Sequence, residues 1–144
     1  METEISQTGW SKDLETGIDI LDEQHRRYFD LLNNYLEKAA KAPTGRQQII
    51  DLAEKFDFLR QYAKQHFSTE ESIMEDAKYP DYESHQKDHL YFLRHVEELY
   101  LQLITNGYSS QLAREVNYYM IQWFIEHIRF TDMKLVAFLK PPSV

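Results

Sequence analysis

The chain has no cysteine. Disulfides, thiolate metal sites and iron–sulfur clusters are therefore excluded, and nitrogen or oxygen must carry any bound metal. Glycine and proline are scarce, with four of each in 144 residues. Alternating β-branched patterns are rare as well, so long helices are expected rather than a turn-rich sheet. Basic residues are in the minority, 16 Lys and Arg against 24 Asp and Glu, for a formal charge of −8. That balance opposes docking on phosphate backbones or anionic lipid, so no nucleic acid partner is expected. No segment approaches the ~20 apolar residues of a membrane span, so no membrane insertion is expected either. The opening METEISQTGW has neither the basic stretch nor the apolar run of a secretory signal, which makes a cytoplasmic location the expectation.

What the chain does have is 42% apolar and 14% aromatic residues, enough for one globular domain with a real core. The apolar residues fall into four helical stripes. The first runs Leu21, His25, Tyr28, Leu32, Tyr35 and ends near Lys41, Ala42 and Pro43. Thr44 can cap the second, which runs Leu52, Phe56, Leu59, Ala63, His66, Glu70, Ile73. After a turn at Tyr79, Pro80 and Asp81, the third runs Tyr82, His85, His89, Phe92, Val96, Leu99, Leu103 and stops near Asn106 and Gly107. Ser109 or Ser110 can cap the fourth, with Leu112, Val116, Met120, Trp123 and His127 inward and Phe130 close to the same stripe. Short connections between four such helices make an all-α, antiparallel, up-down four-helix bundle. The expected organisation is a single domain over 1–144: an arm packed along the bundle at 1–17, the helices at 18–140 and a tail at 141–144.

The informative feature is what the stripes contain. A lone inward histidine is more often a core residue with one hydrogen bond than a ligand. Here every helix delivers at least one, and in a bundle these side chains converge at the axis. Glu70 sharpens the point, because a buried carboxylate costs several kcal/mol unless a cation or donor meets it. His66 with Glu70, and His85 with His89, are four apart and share a helical face. His127 and Asp132 are five apart, which turns an ideal helix by about 140°. Both can reach one site only through a break or bulge around Phe130 and Thr131.

Five imidazoles and two carboxylates are more than one zinc needs. His85-Gln-Lys-Asp-His89 also lacks the glutamate that zinc proteases carry after the first histidine. The ferritin-like bundles use four carboxylates and two Glu-x-x-His pairs, and no such pair stands on these stripes. A histidine-rich pair of iron ions is the better match, although such donors also accept zinc or manganese.

Four stretches together resemble the hemerythrin family, and within it the bacterial single-domain members. They are WSKDLETGIDILDEQH (10–25), HFSTEE (66–71), YPDYESHQKDH (79–89) and WFIEHIRFTD (123–132). The resemblance spans nearly the whole chain and matches all seven of the family's ligand positions at the family's local spacings. It implies that His85, His89 and His127 hold one iron, His25 and His66 the other, and Glu70 and Asp132 bridge both beside an oxo or hydroxo group. The second iron is then one ligand short, and dioxygen binds there reversibly. The implied pocket lining is Phe67, Trp123, Phe124 and Ile128, with Tyr28 beside them. Phe124 departs from the aliphatic residue frequent after the tryptophan, and Tyr28 is a second departure.

The expected function is reversible dioxygen binding for storage, transport or delivery, with no dedicated catalytic residue. The alternatives are a di-iron redox enzyme acting on peroxide, dioxygen or nitric oxide, and an oxygen or redox sensor. Dioxygen is the expected partner, with an oxygen-using enzyme or an electron donor as a further one. His95 lies off the third stripe and is expected to be partly exposed and not a ligand. Asp22 and Glu23 are expected to be a solvated helix start, either of them able to orient His25.

Overall fold

The computed structural model describes residues 10–140. Four long helices follow one another: α1 (Asp19–Ala39), α2 (Arg46–Asp76), α3 (Tyr82–Asn106) and α4, which spans 110–139. There is no strand among the described residues. The helices form the expected antiparallel bundle, with α2 packed between α1 and α3, and α4 against α3. No helix of the described residues is long and apolar enough to cross a membrane.

The first three stripes face inward almost as drawn. Leu21, His25, Tyr28, Leu32 and Tyr35 of α1 are buried, as are Leu52 to Glu70 along the α2 stripe. At the end of α2 the period of 3.6 overtakes the pattern, and Met74 rather than Ile73 is the buried residue. On α3 the stripe residues from His85 to Leu103 are buried, while Tyr82 is only half-buried. The helix stops at Gly107, whose φ of +81° suits glycine and whose N–H reaches the Leu103 carbonyl at 2.9 Å.

The helix starts differ in how they are capped. Ser109 caps α4, its Oγ accepting from the Leu112 N–H at 3.1 Å. Thr44 does not cap α2. Gly45 takes that position, and the Gln48 side chain accepts the backbone N–H groups of both Thr44 and Gly45, at 3.0 and 3.1 Å. The helix start is thus satisfied from inside the first turn, and a threonine hydroxyl is not needed.

Helix α4 is irregular where the site requires it. α-Helical pieces at Ser110–Val116, Phe124–Glu126 and Met133–Leu139 alternate with π-helical turns at Asn117–Trp123 and His127–Asp132. Each π turn widens the helix and shifts the phase of the residues beyond it. After the first, Phe124 is fully buried and Trp123 only partly so, which corrects the inward placing of Trp123. Within the second, Asp132 is buried while Phe130 is turned outward and 70% exposed. Phe130 is therefore not on the inward face.

Of the arm, residues 10–17 are described. Leu14 is buried in the main core, the Trp10 ring lies 6.4 Å from that of His25, and the Arg26 guanidinium sits over Trp10. Residues 1–9 of the arm and the tail at 141–144 lie outside the described residues. Asp22 is not solvated. It is buried and accepts from the Thr16 and Gly17 backbone N–H groups and the Thr16 hydroxyl, at 2.7, 3.0 and 2.8 Å, tying the arm to α1. Glu23 is exposed as expected.

Candidate metal centre

All seven residues singled out by spacing meet in one place. His25, His66, Glu70, His85, His89, His127 and Asp132 are each 4% exposed or less. They form two overlapping groups, Glu70, His85, His89, His127 and Asp132 on one side, and His25, His66, Glu70 and Asp132 on the other, each with ligand atoms within 4.8 Å of one another. The π turn at His127–Asp132 makes the last pair possible, because its i to i+5 hydrogen bonding stacks residues five apart. His127 Nε2 and Asp132 Oδ1 are 3.1 Å apart.

The two carboxylates divide their oxygens between the groups. Glu70 Oε1 lies 2.9 Å from Nε2 of both His85 and His89 and 3.8 Å from that of His127, while its Oε2 is the atom nearest His66 Nε2, at 3.9 Å. Asp132 Oδ1 lies 3.2 Å from His85 Nε2, and its Oδ2 lies 3.2 Å from His25 Nε2. One oxygen of each thus faces the three-histidine side and the other the two-histidine side.

The electrostatics arise from the crowding. Burial disfavours a charged ring at His85 and His127, but the carboxylates of Asp132 and Glu70 outweigh it and raise these imidazoles to about 9 and about 10. Burial also opposes ionised Glu70 and Asp132, and the surrounding imidazoles reverse this, holding both carboxyls well below their usual range. His66 is driven the other way, to about 3, chiefly by burial.

Hydrogen bonds from behind orient two of the rings. His66 Nδ1–H donates to Gln24 Oε1 at 2.8 Å, and the Gln24 amide is itself fixed by Thr69 Oγ1 at 3.3 Å. His89 Nδ1–H donates to Glu71 Oε2 at 2.7 Å. Both turn Nε2 into the cluster, the ring nitrogen that a metal would take. Gln24 and Glu71 were not singled out from the sequence. Their one signal is position, directly before His25 and directly after Glu70. Asp22 and Glu23 do not orient His25, since Asp22 is committed to the arm and Glu23 faces solvent. His95 is half-buried, donates Nδ1–H to the Tyr91 carbonyl at 2.9 Å and belongs to neither group.

The polar atoms left over test whether a metal fits. Among the described residues eleven buried side-chain N and O atoms have no hydrogen-bond partner; two are Asn33 Oδ1 and Tyr35 OH, and the other nine are on His25, His66, Glu70, His85, His127 and Asp132. Six of these nine, Nε2 of His25, His66 and His127, Oε2 of Glu70 and both oxygens of Asp132, face one another inside the cluster where a metal would meet them, whereas Nδ1 of His25, His85 and His127 lies on the far side of its ring. Nitrogen and carboxylate oxygen donors around a shared interior suit divalent transition metals, so the residues fit the group.

The hemerythrin HHE cation binding domain model matches residues 16–139. The chain belongs to the hemerythrin family. Among relatives it is similar to the bacteriohemerythrin of Stenotrophomonas maltophilia, with 32% identity over 123 residues covering 85% of this chain and 75% of that protein. A bacteriohemerythrin of Clostridium acetobutylicum is 27% identical over 88% of this chain and 97% of its own. The myohemerythrin of Sipunculus nudus is 28% identical over 87% and 88%. No solved structure gives a significant match.

Around the cluster stands a wall of rings. Phe67 stacks on His89 at 3.9 Å and meets His66 and His127 at 5.5 and 5.9 Å. Phe124 lies 6.1 and 6.2 Å from His25 and His66, and Tyr28 stacks on it at 3.7 Å. Ile128 is fully buried. Trp123 stacks on His127 at 4.8 Å, on the three-histidine side.

Proposed function

We propose that this chain is a reversible dioxygen-binding protein of storage, transport or delivery, built on a non-haem pair of iron ions. His85, His89 and His127 would hold one ion, His25 and His66 the other, and Glu70 and Asp132 would bridge them beside an oxo or hydroxo group. The observation that carries this reading is the division of each carboxylate between the two histidine groups. A single ion would leave one histidine group and one oxygen of each carboxylate without a partner. When bound, the ferrous pair would supply the two electrons that hold dioxygen, at a position beside His25 and His66.

The chain's own residues define that position. Phe124 stands against both His25 and His66, backed by Tyr28, and Phe67 closes on His66. A neutral diatomic ligand needs a dry apolar wall rather than polar contacts. The Tyr28 hydroxyl fits this requirement because it donates to the Met120 carbonyl at 2.8 Å and so offers no proton to the pocket. Excluding water and protons slows loss of reduced oxygen and the resulting inactive oxidised state.

The test is to supply ferrous iron to the metal-free protein without air, measure iron per chain, admit air, and follow the visible spectrum through removal of the gas. Two irons per chain and a charge-transfer band that appears and vanishes reversibly are expected, and Glu70→Ala should abolish paired loading. One iron per chain would overturn the bridge assignment, and immediate irreversible oxidation would overturn carriage.

A further inference from the structure

Trp123 begins a run of aromatic side chains that leaves the metal centre and reaches the surface. Its indole lies nearly parallel to the His127 ring, with centres 4.8 Å apart. Outward from it, Tyr91 lies at 6.2 Å and Tyr119 6.3 Å beyond that. His95 fills the gap between these two tyrosines, 4.4 Å from Tyr91 and stacked on Tyr119 at 4.3 Å. Tyr118 comes next at 4.8 Å and is 50% exposed. Tyr91 is itself 39% exposed.

Core packing accounts for Trp123 and Tyr119, which lie against the main core, but not for Tyr91 and Tyr118, which stand exposed on the outer faces of α3 and α4. Tryptophan and tyrosine are the aromatic side chains that give up an electron most readily, and exchange between rings falls steeply with distance, so short steps between such rings conduct oxidising equivalents. Trp10, 6.4 Å from His25, is a second readily oxidised ring beside the cluster, but no further aromatic step leads on from it among the described residues; the tyrosine routes stop early. Tyr79 lies 6.4 Å from His85, but its next ring is Phe138, which resists oxidation. Tyr28 is fully buried, with its hydroxyl held by a carbonyl that cannot accept its proton.

We infer that Trp123, Tyr91, Tyr119 and Tyr118 form an outlet for oxidising equivalents, used when hydrogen peroxide meets the metal centre. This rests on the reading of the cluster as a redox-active iron site. Hydrogen peroxide takes up two electrons and two protons and becomes two water molecules. Two tyrosines each give one electron, passed inward along the relay, and one proton, released to water, and the metal centre ends in its starting state. Two tyrosyl radicals on separate molecules then join through a carbon–carbon bond. The sum is two tyrosines and one hydrogen peroxide giving one dityrosine and two water molecules. The outlet keeps damage away from the ligands and places it on exposed, replaceable rings.

The experiment uses the iron-loaded full chain, with iron per chain measured first, treated with a few equivalents of hydrogen peroxide. The expected result is a tyrosyl signal in frozen-solution electron paramagnetic resonance, dityrosine fluorescence, and oxidation mapped by mass spectrometry to Tyr91, Tyr118 and Tyr119. Tyr91→Phe should keep its iron and lose most of the oxidation at Tyr118 and Tyr119. The double change Tyr118→Phe with Tyr119→Phe should remove the dityrosine. Full iron loading with no oxidation at these positions would overturn the outlet and leave the iron reading standing. So would oxidation that Tyr91→Phe leaves unchanged, or oxidation equally strong at the off-path Tyr62 and Tyr82, which marks freely diffusing radicals. A chain that takes up no iron would overturn both readings.

Discussion

The metal-free cluster balances its own charge. At pH 7, His85 and His127, with values of about 9 and about 10, carry protons, and they face two carboxyls held ionised well below their usual range. A metal takes the neutral ring only, so loading must drive those protons out, whereas His66, at about 3, has none to lose. Apparent metal affinity therefore rises with pH up to about 9 to 10, above which both rings are already neutral. Zinc, which has no redox chemistry, can report this. Adding it to metal-free protein in weak buffer at pH 7 should release protons, and the release should shrink as the starting pH is raised through that range. Release independent of pH would contradict the charged pair. None of this charge balance is legible in the sequence, which marks the seven residues through their inward register but not which of them share protons. Gln24 and Glu71 are hidden for a related reason. They lie off the regular stripe, and only the folded geometry shows that each holds an imidazole of the cluster.

At the scale of the helix, periodicity places α1, α2 and α3 well because each keeps one phase along its length. Helix α4 changes phase twice. The second change is readable because His127 and Asp132 stand five apart and must share a site. The first, at Asn117–Trp123, falls where no pair of inward polar residues exposes it, and so Trp123, expected on the inward stripe, is only half-buried while Phe124 beside it is fully buried. That first π turn has a support of its own. Tyr28, 92 residues away, donates its hydroxyl to the Met120 carbonyl inside it. Tyr28→Phe leaves a buried acceptor without that donor, which should cost about 1–3 kcal/mol. The loss should appear as a lower urea midpoint at constant slope. Tyr35→Phe is the matched control, since the Tyr35 hydroxyl is buried with no partner and its removal should be neutral or stabilising. Equal losses in the two variants would show that the Tyr28 bond does not support the turn.

The centre divides the whole molecule unequally. On one side lies the main core, including Phe29, Leu32, Tyr35, Phe56, Phe92, Val96, Leu103 and Val116, and on the other, among the described residues, only Met74, Tyr79 and Leu135 are buried together. Four stripes are enough to foresee the bundle, but not this asymmetry, because the stripe pattern does not reveal how little apolar surface lies beyond the ligands. Its consequence is local. Where few apolar contacts hold a segment, it opens at low free energy, and a ligand that binds only the closed form raises that free energy. Metal bound between Glu70, His85, His127 and Asp132 ties together the three helices that carry this smaller end. Removing it leaves two carboxylates and two charged imidazoles to do so by themselves. Hydrogen exchange should therefore quicken on metal removal in the end of α2 after Glu70, the start of α3 and the end of α4 after Asp132. The segments around Phe56, Val96 and Val116 should stay protected. If exchange instead rises evenly along all four helices, the bundle opens as one unit and the metal stabilises the fold globally.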